Sequence, residues 1–118
     1  MSRELEAWIS QIRKGVVEVA ILAMLSRGEM YGSEIVSGLG NRPELAISAG
    51  TVYPLLSRLK KAGLIDSKWR ESPVGPPRKY YDLTASGTLE LSGMAGAWRR
   101  VSSGIDELLK GVEQDAAR

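Results

Sequence analysis

Apolar residues recur along this chain in three rhythms, and each predicts a different element. Leu5, Trp8, Ile9, Ile12, Val16, Val19, Ala20 and Ala23 return at three- and four-residue steps, the repeat of one helical face, and predict a first helix over 2–26 that Arg27-Gly28 ends. From Val16 onward this helix is apolar nearly all round, the pattern of a segment buried on several sides. Its first half carries only the narrower stripe Leu5, Trp8 and Ile12 among Arg3, Glu4, Glu6, Gln11 and Arg13, so that half needs a partner surface beyond the compact domain.

A short second helix is predicted over Tyr31 to Leu39, with Ile35, Val36 and Leu39 inward and Gly38 and Gly40 near its end. The loop Asn41-Arg-Pro-Glu44 leads into Leu45-Ala-Ile47, expected as a short extended piece. In the third helix Val52, Leu55, Leu56 and Leu59 share one face while Tyr53, Ser57, Lys60 and Lys61 lie opposite, and Gly63 stops it. Pro54 removes a backbone donor inside this segment, so either the helix begins near Gly50 or its first turn is distorted.

Leu64 to Arg70 and Arg78 to Leu83 alternate in the manner of two strands, joined by the proline- and glycine-rich Glu71-Ser-Pro-Val-Gly-Pro-Pro77. Of the adjacent Tyr80 and Tyr81, one must face inward; Tyr81 is the expected core residue and Tyr80 is left open. Thr84 is placed to cap a last long helix. Along it Leu91, Met94, Trp98, Val101, Ile105, Leu108 and Val112 alternate steps of three and four, a heptad seam of the kind that packs against another helix. The tail Glu113 to Arg118 is polar and is expected to fray.

Three helices, a two-stranded hairpin and a final helix make a mainly α fold with a small antiparallel β-hairpin: a winged helix-turn-helix domain over residues 1–83, continued by a C-terminal dimerisation helix over 84–118 as one structural unit. A chain of 118 residues holds one such domain. The formal net charge is only +2, but its distribution is uneven. Between Ser57 and Tyr81 seven basic residues face two acidic ones, a local +5 that leaves −3 for the rest. Such polarity is the footprint of a phosphate-binding face, with double-stranded DNA as the expected partner, and a solvated basic surface without a partner would carry the same pattern.

A helix entering the major groove turns its apolar side inward and offers short or flexible polar groups outward. Tyr53, Ser57 and Lys61 meet this need, with Gly50 allowing close approach, and Thr51, Arg58 and Lys60 flank them as phosphate contacts. Tyr31 and Ser48 complete the expected DNA-binding set from the helix-turn-helix. In the wing, Arg78 and Lys79 are positioned to reach a minor groove or the backbone, and Pro76 and Pro77 lower the ordering cost of the loop.

The absence of Cys and His removes disulfides, thiolate metal sites and the commonest general base, so neither an enzyme, a metal site nor a cofactor is expected. The run Val16 to Leu25 contains Glu18 and falls short of the roughly 20 residues of a membrane span. With no export pattern at the start, a cytoplasmic location is expected.

Together, Arg13-Lys-Gly15, Met30-Tyr-Gly32, Gly50-Thr-Val-Tyr-Pro-Leu-Leu56, Arg58-Leu59, Gly63-Leu64, Trp69 and Gly75-Pro-Pro-Arg-Lys-Tyr-Tyr-Asp-Leu-Thr84 resemble the PadR family of transcriptional regulators, over Ile12 to Leu109. The resemblance implies a homodimer whose first and last helices pack across a two-fold axis, with one winged helix per half-site of an inverted repeat. It also implies repression relieved by a small molecule or stress signal. A single C-terminal helix is similar to the smaller subgroup of multidrug-sensing, LmrR-type repressors, in which a tryptophan of the last helix stacks on flat aromatic drugs at the dimer interface. Trp98 falls at that place, with Trp8, Ile12 and Gly15 of the first helix beside it. As a seam residue it equally serves as dimer packing. Arg99 and Arg100 follow Trp98 and no carboxylate stands at Ser102, an arrangement that leaves an anionic or neutral aromatic effector, or none, open. The alternative reading is a winged-helix interaction module that binds a partner helix through the seam.

Overall fold

The computed structural model describes residues 2–116, with side chains through Val112. The chain forms α1 (Arg3–Leu25), β1 (Met30–Tyr31), α2 (Gly32–Gly40), a 3-10 turn (Pro43–Leu45), α3 (Ala49–Lys61), β2 (Ile65–Arg70), β3 (Arg78–Leu83) and α4 (Ala85–Ala116). Ser2 caps α1, its hydroxyl accepting from the Leu5 amide at 3.1 Å. The buried core is built from Val17, Ile21, Leu22 and Leu25 of α1, Ile35 and Leu39 of α2, Val52, Leu56 and Leu59 of α3, Ile65 of β2 and Tyr81 of β3. The second half of α1 is thus buried on one side only: Val16, Val19 and Ala20 are partly exposed and Ala23 is exposed, so the burial on several sides expected from its all-round apolar pattern is not met within one chain.

Two further expectations need correction. The wing is not a lone hairpin: β1 pairs antiparallel with β3, Met30 opposite Tyr81 and Tyr31 opposite Tyr80, to give a three-stranded sheet in the order β1-β3-β2. Tyr31 therefore belongs to a strand and precedes α2, where its amide donates to the Glu34 carboxylate at 3.1 Å. A two-residue strand is too short to show any alternation, so nothing in the apolar rhythm announces it. Leu45 to Ile47 is likewise no extended piece throughout. Pro43 opens a 3-10 turn that includes Leu45, and the chain extends only from Ala46.

α3 begins at Ala49, with Ser48 in extended conformation before it. Pro54 thus lies in the second turn, where it has no N–H to give to the Gly50 carbonyl; both residues are exposed, so that carbonyl remains open to solvent. At the other end Gly63 takes φ +78°, and the amides of Gly63 and Leu64 return to the carbonyls of Lys60 and Leu59 at 3.0 Å each. This left-handed closure turns the chain directly into β2.

Thr84 joins the start of α4 to that same turn. Its hydroxyl accepts from the Gly87 amide at 2.9 Å and donates to the Gly63 carbonyl at 2.7 Å, while its own amide reaches the Leu64 carbonyl at 3.1 Å. α4 has 32 residues, about 48 Å of helix at 1.5 Å per residue. It continues into the polar tail as far as Ala116; the remainder, 117–118, lies outside the described residues.

Candidate nucleic-acid interface

Gly50, Tyr53, Pro54, Ser57 and Lys61 occupy one stripe of α3, because steps of three and four return to the same side of a helix, and every one of them is exposed. Val52, Leu56 and Leu59 hold the opposite side in the core. The two edges of the stripe are tied to the domain. On one, the Arg58 guanidinium is ion-paired with Glu18 of α1. On the other, the Lys60 ammonium donates to the Ser67 hydroxyl of β2 at 2.6 Å. Arg58 and Lys60, read from sequence as phosphate contacts, are thus both engaged within the chain, whereas Lys61 has no ion-pair partner among the described residues. Ser48 and Thr51 share a hydroxyl–hydroxyl bond of 3.2 Å at the N-terminus of α3.

In the wing, alternation places Arg70, Tyr80 and Arg78 on one face of the sheet together with Tyr31. They form a stack. The Arg70 guanidinium lies 5.3 Å from the Tyr80 ring centroid, Tyr80 meets Tyr31 edge to face at 5.4 Å, and the Arg78 guanidinium lies 4.4 Å over Tyr31. Tyr31 is therefore a half-buried support beneath Arg78 rather than a freely projecting group. Tyr80, left open by the sequence, belongs to this stack. Glu29 closes it by pairing with Arg70 and, at 3.9 Å, with Lys68. Neither Arg70 nor Tyr80 was foreseen as part of the site, because the stack joins residues from three strands.

The other face of the wing turns toward α3. Between the wing and α3 lies a cleft of about 450 Å³ lined by Trp69, Lys79 and Tyr81 of this face, Tyr31 and Arg78 of the first, Gly32 and Ser33 of α2, and Tyr53 of α3. Tyr81 is buried at its floor, and burial, with the neighbouring Tyr53 phenol, pushes the Tyr81 hydroxyl above its usual pKa.

A second concavity, about 460 Å³, lies between α1 and α4. Ile12, Val16, Ala20, Leu91 and Trp98 are among its walls, and Arg13, Arg99 and Glu44 supply the polar groups. Arg13 is held there by donating to the Glu44 carbonyl at 2.7 Å. Of the four residues read as an effector site, Ile12 and Trp98 are brought together here, whereas Trp8 and Gly15 do not line the groove.

The heptad seam also divides. Leu91 and Met94 pack against the domain's own core, whereas Trp98, Val101, Ile105, Leu108 and Val112 remain exposed. Leu5, Trp8 and Ile12 are exposed on α1.

An exposed helix backed by the core, a basic wing and a cationic cleft between them define a winged-helix module that binds DNA. Comparison with known proteins makes the assignment specific. Residues 21–93 match the transcriptional regulator PadR-like family, and the chain belongs to that family of transcription regulators, which are not enzymes. A PadR-like transcriptional regulator from Bacillus cereus shares 38% identity and superposes with a TM-score of 0.77, covering 84% of this chain and 96% of that one. A PadR family regulator from Eggerthella lenta shares 31% identity at a TM-score of 0.80, covering 89% and 91%. An uncharacterized protein of Lysinibacillus sphaericus is 31% identical over 106 residues, 88% of this chain and 97% of its own length. Among the described residues no helix is long and apolar enough to cross a membrane, and no group of three or more acidic side chains is placed to hold a metal ion.

Proposed function

We propose that the chain acts as a homodimeric repressor that binds an inverted-repeat operator, two copies joining through α1 and the distal part of α4. The observation that carries this reading is the seam of Trp98, Val101, Ile105, Leu108 and Val112, exposed on α4 beside the exposed Leu5, Trp8 and Ile12 of α1. Apolar faces of that extent mark association surfaces. A second copy offers the same two faces in reverse order, which is what a two-fold interface requires. Each copy then docks its α3 in one half-site, the two centres separated by about 34 Å or a multiple of it.

The α1–α4 groove supports an effector reading: Trp98 forms one wall, and the volume of about 460 Å³ suits a small planar aromatic molecule. Two guanidinium groups against one carboxylate favour a neutral or anionic ligand over a cationic one. Trp8 and Gly15 enter this site only if the partner copy brings them. A ligand that shifts α4 against α1 changes the separation of the two recognition helices and releases the operator.

Light scattering tests the dimer and duplex selection from a random pool tests the operator. The expected results are twice the chain mass and an inverted repeat, both lost in a Val101→Glu, Ile105→Glu double variant that still folds. A monomer that binds single half-sites with full affinity overturns the dimer and turns the seam into a docking face for another protein.

A further inference from the structure

The cleft between α3 and the wing contains a residue that neither the recognition stripe nor the Arg78–Lys79 pair accounts for. Trp69 is 68% exposed and lies outside the core cluster. Its place in the ladder explains the direction it takes: Ile65, Ser67 and Trp69 alternate on the α3-facing side of β2, opposite Leu83, Tyr81 and Lys79 of β3. Ile65 and Tyr81 are buried, so the Trp69–Lys79 rung is the first to emerge from the core on that side. The Lys79 ammonium lies 6.0 Å from the Trp69 ring centroid and 5.9 Å from that of Tyr81. Tyr53 stands across the cleft on α3. A large apolar ring is thus held beside a lysine in the cleft between α3 and the wing, outside the core cluster whose Tyr81 lines that cleft.

When a helix lies in the major groove and its hairpin reaches the flanking minor groove, one sugar–phosphate strand must pass between them. We propose that this strand runs through the cleft, with the Trp69 indole packed on a deoxyribose and the Lys79 ammonium against an adjoining phosphate, so that Trp69 is a DNA-contacting residue. The inference rests on the reading of α3 and the wing as the DNA-binding elements. A sugar suits the indole better than a base does. Stacked bases offer only their edges to the grooves, whereas deoxyribose presents C–H surface along the strand. The two partners also contribute differently. Lys79 displaces a condensed counterion and adds to the salt dependence; Trp69 buries apolar surface and adds affinity that salt does not screen.

The test uses the full chain and a fluorescein-labelled random-sequence duplex of about three helical turns, followed by anisotropy over a range of salt concentrations. Trp69→Ala is expected to weaken binding about fivefold or more with the slope of log affinity against log salt unchanged. Lys79→Ala is expected to reduce that slope by about 0.9. In parallel, tryptophan emission is recorded for the wild type and for Trp69→Phe, and their difference isolates Trp69 without altering Trp8 or Trp98. That difference signal should quench as the duplex saturates. Thermal melts of Trp69→Ala check that the exposed substitution leaves the fold intact. Wild-type affinity in Trp69→Ala, or a difference signal that stays flat while anisotropy saturates, overturns the clamp alone. Failure of the wild-type chain to bind any duplex overturns the DNA-binding reading beneath it as well.

Discussion

The ring of Tyr53 lies against Gly32 so closely that a Cβ at residue 32 would stand 2.5 Å from its Cε1 and 2.7 Å from its hydroxyl. The first residue of α2 therefore sets the position of an exposed residue of α3. Gly32→Ala meets the free end of a side chain, which can rotate away, and not backbone. The expected outcome is a fold of near-normal melting temperature whose DNA affinity falls by about 1–2 kcal/mol, roughly tenfold, as Tyr53 leaves its place. Thermal melting and duplex anisotropy on the same preparation check both halves; equal losses in Tyr53→Ala and the Gly32→Ala, Tyr53→Ala double variant would tie the effect to Tyr53.

Gly87 presents the opposite case. A Cβ there would stand 2.0 Å from the Leu64 carbonyl oxygen, which is backbone and cannot step aside. The first turn of α4 would have to lift from the α3–β2 turn, loosening the Thr84 bonds to Gly63 and Leu64. Gly87→Ala is expected to destabilise the domain by about 1–3 kcal/mol, despite the higher helix propensity of alanine. Chemical denaturation measures this directly, and an unchanged midpoint would show that α4 re-seats without cost.

Much of this arrangement is legible in the residues taken singly. The inward face of α3, the two longer strands and the Thr84 cap follow from spacing and from local hydrogen-bond chemistry, which act within a few residues. What escapes is relational. The heptad rhythm from Leu91 to Val112 does not say which turns meet the domain and which meet another surface; Leu91 and Met94 go inward because α4 starts beside Leu64, and Trp98 onward overhangs. Glu18 is 40 residues from Arg58, and the Arg70–Tyr80–Tyr31–Arg78 stack needs the unannounced strand β1 to bring Tyr31 under Arg78. Basic residues that look equivalent along the sequence are thus sorted by partners that lie far away in it.

That sorting makes Arg58 and Lys61 unequal. Lys61 carries a charge with no intramolecular ion partner among the described residues, whereas the Arg58 charge is already answered by Glu18. Lys61→Ala should lower the salt slope of DNA binding by about 0.9, and Arg58→Ala by clearly less. Glu18→Gln, which releases Arg58, should raise affinity for random-sequence duplex and steepen the slope. Anisotropy titrations at several salt concentrations read all three variants, and a Glu18→Gln chain indistinguishable from wild type would mean that the pair opens freely on DNA.

Alkaline stability depends on Tyr81. Burial, and secondarily the Tyr53 phenol, raise its pKa in the folded chain, so the folded state favours the neutral hydroxyl. Below the ordinary tyrosine value of about 10 both folded and unfolded chains hold the proton, and this group adds no pH dependence. Above it the unfolded chain releases the proton while the folded chain still resists, so stability is lost as pH rises from that ordinary value up to the raised folded one. Tyr81→Phe removes the linkage and should flatten the decline. Tyr53→Phe, which removes only the lesser cause, should flatten it less. Urea midpoints measured from about pH 8 to about pH 11 for the three chains give the comparison. Parallel declines in wild type and Tyr81→Phe would mean that the floor of the cleft hydrates before Tyr81 ionises.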